Sequence, residues 1–149
     1  MIRKILVIGL LCLFTTPAIA AECKATVEST DAMQFKTGAL VVPAACKQFA
    51  ITLKHTGKLP RNVMGHNLVL GRTVDVGAIN ADGMKAGLAN QYVKPGDARV
   101  LAASKVIGGG ESTTVNIPVG KLKAGESYTY FCSFPGHAAL MKGTLSVGK

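Results

Sequence analysis

The 149-residue chain has no tryptophan, only 5% aromatic residues, and just 8 acidic residues against 17 basic ones. Charged residues make up 17% and apolar residues 48%, which excludes intrinsic disorder, because enough apolar side chain is present to offset the entropy of ordering. No apolar run reaches the roughly 20 residues a helix needs to cross a bilayer. Repeats of fixed period and Ser/Pro-rich linkers are also missing, so one domain suffices. The glycine triplet at 108–110 lacks the Lys-Ser/Thr pair that completes a phosphate loop, and reads instead as a mobile hairpin turn.

The longest apolar stretch, residues 5–14, follows Arg3 and Lys4 and ends at the small residues Ala18-Ile19-Ala20. This is the pattern of a secretory signal peptide over residues 1–20, which leaves a soluble mature chain, 21–149, in the periplasm. A lipid anchor is not expected, since Cys12 follows Leu11 and Cys23 follows Glu22 rather than a small residue. Cleavage removes two basic residues and leaves 15 basic against 8 acidic, a charge of +7. The Lys and Arg residues are scattered singly from Lys24 to Lys149 without interleaved aromatics, which suits a solvated surface and not a nucleic-acid interface.

Three cysteines remain, an odd number. In an oxidising compartment Cys23 and Cys46 are expected to pair, with a loop-closure gain of about 3 kcal/mol. Cys132 is left as a free thiol where thiols are oxidised. Free cysteines are often inert buried hydrophobes, but this one lies among other unusual residues.

Alternation of period two recurs at Ala25 and Val27, at Phe49, Ile51 and Leu53, at Val115 and Ile117, at Tyr128 and Tyr130, and at Leu145 and Val147. Continuous apolar runs at 39–42, 68–70 and 100–107 read as further strands. Seven or eight short strands separated by Gly, Pro and Asn predict an antiparallel sandwich or barrel, of which two packed sheets are the expected form. Between residues 71 and 95 the spacing of Ile79, Met84, Leu88 and Tyr92 predicts a short helical insertion interrupted by Gly83 and Gly87.

Cys132, His137 and Met141 fall within ten residues, around a turn set by Pro135 and Gly136. A strand-end cysteine and a histidine across that loop can face one point, and His66, far away in sequence, adds a second imidazole. A thioether is a poor zinc ligand. Two imidazoles, a thiolate and a remote Met are instead the donor set of blue-copper electron-transfer sites, whose geometry changes little between Cu(II) and Cu(I). A bound cation would also hold Cys132 as thiolate and shield it from oxidation.

The segments Asn62-Val63-Met64-Gly65-His66-Asn67 and, from Phe131 to Leu145, the run containing Cys132-Ser133-Phe134-Pro135-Gly136-His137 and Met141 resemble the azurins, bacterial cupredoxins with a single type 1 copper ion. The likeness extends over the mature chain, including Cys46-Lys47-Gln48-Phe49 and Asp82-Gly83-Met84. It implies a Greek-key β-sandwich of about eight strands and a Cys23 to Cys46 disulfide. The implied copper ligands are His66, Cys132 and His137 in the plane, Met141 on the axis, and the Gly65 carbonyl as a weak opposite contact. It also implies that Asn67 ties the ligand loops together, and that the backbone N–H groups of Asn67 and Phe134 point at the thiolate.

Met33, Leu59, Val63, Met64, Phe134, Pro135 and Leu140 match the apolar patch around the exposed ligand histidine of these proteins. The implied partners are redox proteins such as c-type cytochromes and periplasmic reductases or dehydrogenases, met by a monomer. Two departures stand out: Leu68 occupies a position where a buried Trp is usual, and Tyr130 one where Phe is usual. His55 is expected as a buried neighbour of the site and not as a ligand.

A thiol enzyme in which His137 activates Cys132 would leave His66 and Met141 without a role. A copper-delivery protein without redox function would need exchangeable ligation, and these ligands lie on strand ends and loops braced by Pro and Gly. Electron transfer without enzymatic activity is the expected function.

Overall fold

The computed structural model describes residues 22–148, so the expected leader lies outside the described residues. Among the described residues nine strands form two sheets. One sheet has the order β2-β1-β4-β7 and contains β1 (Lys24–Thr30), β2 (Gln34–Phe35), β4 (Gln48–His55) and β7 (Ser112–Pro118). The other has the order β3-β9-β8-β5-β6 and contains β3 (Ala39–Val42), β5 (Val69–Arg72), β6 (Ala102–Ala103), β8 (Tyr128–Phe131) and β9 (Lys142–Val147). The alternation read from the sequence is the inward face of this sandwich: Val27, Phe49, Ile51, Leu53, Val115, Ile117, Tyr128, Tyr130 and Leu145 are buried in one core cluster.

The sheets are mixed, not purely antiparallel. After β1 the chain turns through β2, crosses to the second sheet as β3 and returns as β4, so β4 enters beside β1 from the same end and pairs with it in parallel. β3 and β9 are parallel as well. Because β1 and β4 start together, the cysteines just ahead of them meet, and Cys23 and Cys46 form a disulfide with Cα atoms 5.7 Å apart.

The strand expected over 100–107 is reduced to β6. The Ser104 hydroxyl takes the Leu68 N–H at 2.9 Å in place of a ladder carbonyl, and the chain then rejoins the sheet only through a single bridge between His66 and Ile107. The helical insertion is present as α2 (Val76–Ala86), after a single-turn helix α1 (Arg61–Met64). Gly83 does not interrupt α2: it sits so close to the Tyr92 carbonyl that a Cβ would not fit. Gly87, at φ 74°, ends the helix. Ile79 of α2 joins Val69 and Phe131 in a second buried cluster, so β8 is covered on both faces. The 108–110 triplet is a turn into β7, with Gly108 and Gly109 pressed against the backbone of Arg61 and Lys58.

Both departures are absorbed in the core. Leu68 is fully buried there. The Tyr130 ring packs on Phe35 at a centroid distance of 5.6 Å, and its hydroxyl donates to the Thr37 carbonyl.

Candidate metal centre

His66, Cys132 and His137 come from two separate stretches of chain at one end of the sandwich. Pro60 opens α1, whose single turn is closed by Val63 and Met64 N–H groups donating to the Pro60 carbonyl. Gly65 follows; a Cβ there would meet Val106, Phe134 and the Arg61 carbonyl, so only glycine lets this stretch pass under the second loop. His66 is then held by its bridge to Ile107, with N···O distances of 2.9 and 2.8 Å.

Cys132 follows β8 directly. The loop behind it turns at Gly136, at φ 83°, and is closed by His137 N–H to Phe134 carbonyl (3.0 Å), Met141 N–H to His137 carbonyl (2.8 Å) and Cys132 N–H to Met141 carbonyl (2.9 Å). That closure brings His137 and Met141 back over Cys132.

The Cys132 sulfur lies 3.9 Å from His66 Nδ1 and 3.6 Å from His137 Nδ1, and the three donor atoms all fall within 4.8 Å of one another. Metal–ligand bonds of about 2.0 to 2.3 Å at trigonal angles set sulfur and nitrogen about 3.8 Å apart, so the donor set fits one ion. The Gly65 carbonyl is 3.9 Å from the same sulfur. Met141 is fully buried in a cluster with Cys132, Phe134 and Val106. His66 and Cys132 are fully buried and His137 is 3% exposed.

The protonation states favour a cation. His66 Nε2 is 2.9 Å from the Thr30 carbonyl, which can only accept, so the neutral ring keeps its hydrogen there and turns a free Nδ1 lone pair to the sulfur. Burial holds the His66 imidazole down at about 4, and lowers His137 as well. Burial pushes the Cys132 thiol up to about 11, against the pull of the Asn67 and Phe134 backbone N–H groups that point at it. Those two donors and a cation together are what a thiolate needs here.

Asn67 joins the two stretches. Its Oδ1 accepts the Ser133 N–H at 2.9 Å, and its Nδ2 donates to Ser133 Oγ at 2.9 Å and to the Gln91 carbonyl at 2.8 Å. Gln91 and Ser133 carry this network but had no sequence signal; Ser133 could have been suspected only from its place beside Cys132.

His55 is buried with its ring edge-on to His66, centroids 4.3 Å apart, and outside the three-donor cluster. Its Nε2 approaches Asp31 Oδ1 to 3.3 Å without hydrogen-bond geometry. The Asp31 carboxylate is lowered chiefly by the Lys58 backbone N–H. The apolar residues named from the sequence gather at this end: Leu59, Val63, Pro135 and Leu140 are exposed, Met33 and Met64 are half-buried, and Phe134 is nearly covered, its ring 4.8 Å from His137.

Residues 21–148 match the family described as copper binding proteins, plastocyanin/azurin family. The chain is 59% identical over 139 residues to azurin of Bordetella pertussis, covering 93% of each chain. It is 50% identical over 147 residues to azurin of Pseudomonas aeruginosa, covering 99% of each. A solved azurin (Az-iso2) of the methylotroph Methylomonas sp. strain J superposes with a TM-score of 0.84 at 46% identity, over 87% of this chain and 100% of that one. A sandwich that buries a thiol between two neutral imidazoles, and relatives of this identity along nearly its whole length, lead to one assignment: the chain belongs to the plastocyanin/azurin family of copper-binding proteins, electron carriers with a single type 1 copper.

Proposed function

We propose that the mature chain, freed of residues 1–20, is a monomeric periplasmic electron shuttle and not an enzyme. His66, Cys132 and His137 would hold the copper, with the Met141 sulfur and the Gly65 carbonyl as weaker donors. Bound there, copper supplies a one-electron Cu(II)/Cu(I) couple. The chain's own part is to keep the donors fixed and dry, and to supply the Asn67 and Phe134 N–H groups that soften the charge on sulfur.

The observation that carries the reading is the buried Cys132 sulfur, set 3.9 and 3.6 Å from two imidazole Nδ1 atoms. A fully buried thiol raised to about 11 is the opposite of an activated nucleophile, which speaks against a thiol enzyme. The apolar patch around His137, from Met33 and Leu59 to Leu140, suits brief docking of c-type cytochromes and periplasmic reductases or dehydrogenases.

Adding Cu(II) to the purified apoprotein tests the proposal. The expected result is an intense blue colour from thiolate-to-copper charge transfer, bleached by ascorbate and absent in Cys132→Ser. A colourless stoichiometric complex would instead mean a copper-storage or delivery protein.

A further inference from the structure

Gln91 and Tyr92 are consecutive non-glycine residues in left-handed backbone, at φ 58° and 53°. Such a conformation persists only where its surroundings enforce it, and it is a reason to look for a role. Three of their contacts lead towards the donor cluster: Gln91 to Asn67 and to Val106, and Tyr92 to Phe134. We propose that Gln91, with Tyr92 beside it, is a positioning residue that locks the two ligand-bearing stretches to each other; this rests on the copper reading above and names a device within that site.

Gln91 makes two grips. Its backbone carbonyl accepts from Asn67 Nδ2 at 2.8 Å, and its side-chain Oε1 accepts from the Val106 N–H at 2.8 Å. The first grip fixes which way the Asn67 amide faces: with one Nδ2 hydrogen on Gln91 and the other on Ser133 Oγ, only Oδ1 remains for the Ser133 N–H. A flipped amide would set a donor against that N–H. The second grip holds Val106, whose neighbour Ile107 bridges to His66 and whose own side chain stands against Gly65.

Tyr92 holds the other stretch. Its ring stands edge-on to Phe134 with centroids 5.3 Å apart, and Phe134 both points its N–H at the Cys132 sulfur and lies against His137. The segment is itself anchored, by Gln91 N–H on the Leu88 carbonyl, by Tyr92 N–H on the Gly87 carbonyl, and by the close fit of the Tyr92 carbonyl to Gly83 of α2. The insertion thus acts as a strut between two loops whose relative placement sets the donor geometry.

The test compares wild type, Gln91→Ala, which removes the side-chain grip and keeps a non-glycine residue, and Gln91→Glu, which keeps an acceptor oxygen. In the apoprotein, amide exchange at Val106 should quicken about tenfold in Gln91→Ala, the factor one lost hydrogen bond of ordinary strength gives, and exchange at Ser133 should quicken by less as the loosened segment slackens its hold on Asn67, while β4 and β7 keep their rates. In the copper-loaded protein the charge-transfer band should broaden and electron self-exchange should slow, because loosened donors rearrange more on electron transfer. Gln91→Glu should restore both. Faster exchange confined to Val106, with the Ser133 amide, the band and the self-exchange rate all as in wild type, would overturn the proposal by making the contact purely local. A wild type that stays colourless would refute the copper reading itself, and the exchange measurements in the apoprotein would still decide whether the strut exists.

Discussion

Tyr130 fills the place a side chain at Gly143 would take. The two residues stand directly opposite on β8 and β9, and a Cβ on Gly143 would overlap the phenol end of the ring. The strand therefore spends a glycine to admit a tyrosine into the core. Gly143→Ala should lower stability by about 1 to 3 kcal/mol, the range for overpacking a filled core. Chemical denaturation of the apoprotein measures it; a wild-type midpoint would mean the ring has room to swing aside.

Tyr130→Phe tests the other end of the same side chain. Its hydroxyl satisfies the Thr37 carbonyl, so the variant should lose about 1 kcal/mol at neutral pH. Burial raises the Tyr130 phenol to about 12, above its unfolded value near 10. The folded state thus binds the proton more tightly, and that contribution is complete below about pH 10 and fades as the pH climbs to about 12. Wild type should lose stability over that window more steeply than Tyr130→Phe; parallel curves would count against it.

What could be read from the sequence followed from chemistry that residue types carry by themselves. Phe49, Ile51 and Leu53 announce a half-buried strand because only one face of β4 meets the core. Two histidines, a methionine and an odd cysteine behind a leader-like N-terminal sequence announce a metal, because few other arrangements protect that thiol. Alternation does not reveal which strand pairs with which, and so the parallel β1/β4 and β3/β9 pairs were hidden. The strand expected over 100–107 failed because the Ser104 side chain, not a backbone group, meets the Leu68 N–H. Gln91 was invisible for a related reason: its role depends on a left-handed backbone, which in sequence only glycine advertises.

Arg99 should give the insertion its own acid sensitivity. Its guanidinium bonds Asp97 through Nε at 2.8 Å and through Nη2 at 2.6 Å, and reaches Asp82 at 2.6 Å. Chiefly through the Arg99 hydrogen bond, Asp97 is held at about 2. A depressed carboxylate stabilises the fold above its unfolded value of about 3.9 and loses that contribution as the pH falls towards 2. Asp97→Asn should flatten the acid limb of the stability curve between about pH 4 and 2; an acid limb identical to wild type would show that the pair contributes nothing.

Copper uptake should release protons in a countable way. With His66 held at about 4 and His137 lowered, both imidazoles of the apoprotein are neutral at pH 7, whereas Cys132, raised to about 11, carries its proton. Binding should therefore expel one proton per ion between about pH 7 and 10, with apparent affinity rising about tenfold per pH unit there. Below neutral pH the count should rise, as protonated His137 and then, towards pH 4, His66 give up protons as well. Titration in buffers of differing ionisation heat reads the number, and Cys132→Ser should release none at pH 7; one proton released by that variant would assign it to another group.

Met141→Leu separates packing from ligation. Leucine nearly matches methionine in volume, and Met141 is fully buried among Cys132, Phe134 and Val106, so the apoprotein should lose less than about 1.5 kcal/mol. If the thioether is the axial donor, its loss removes electron density that favours Cu(II) over Cu(I). The variant should stay blue, because the thiolate and both imidazoles remain, and its reduction potential should rise. Voltammetry of the two proteins side by side gives the answer: an unchanged potential with an intact blue band would make Met141 a core residue and not a copper ligand.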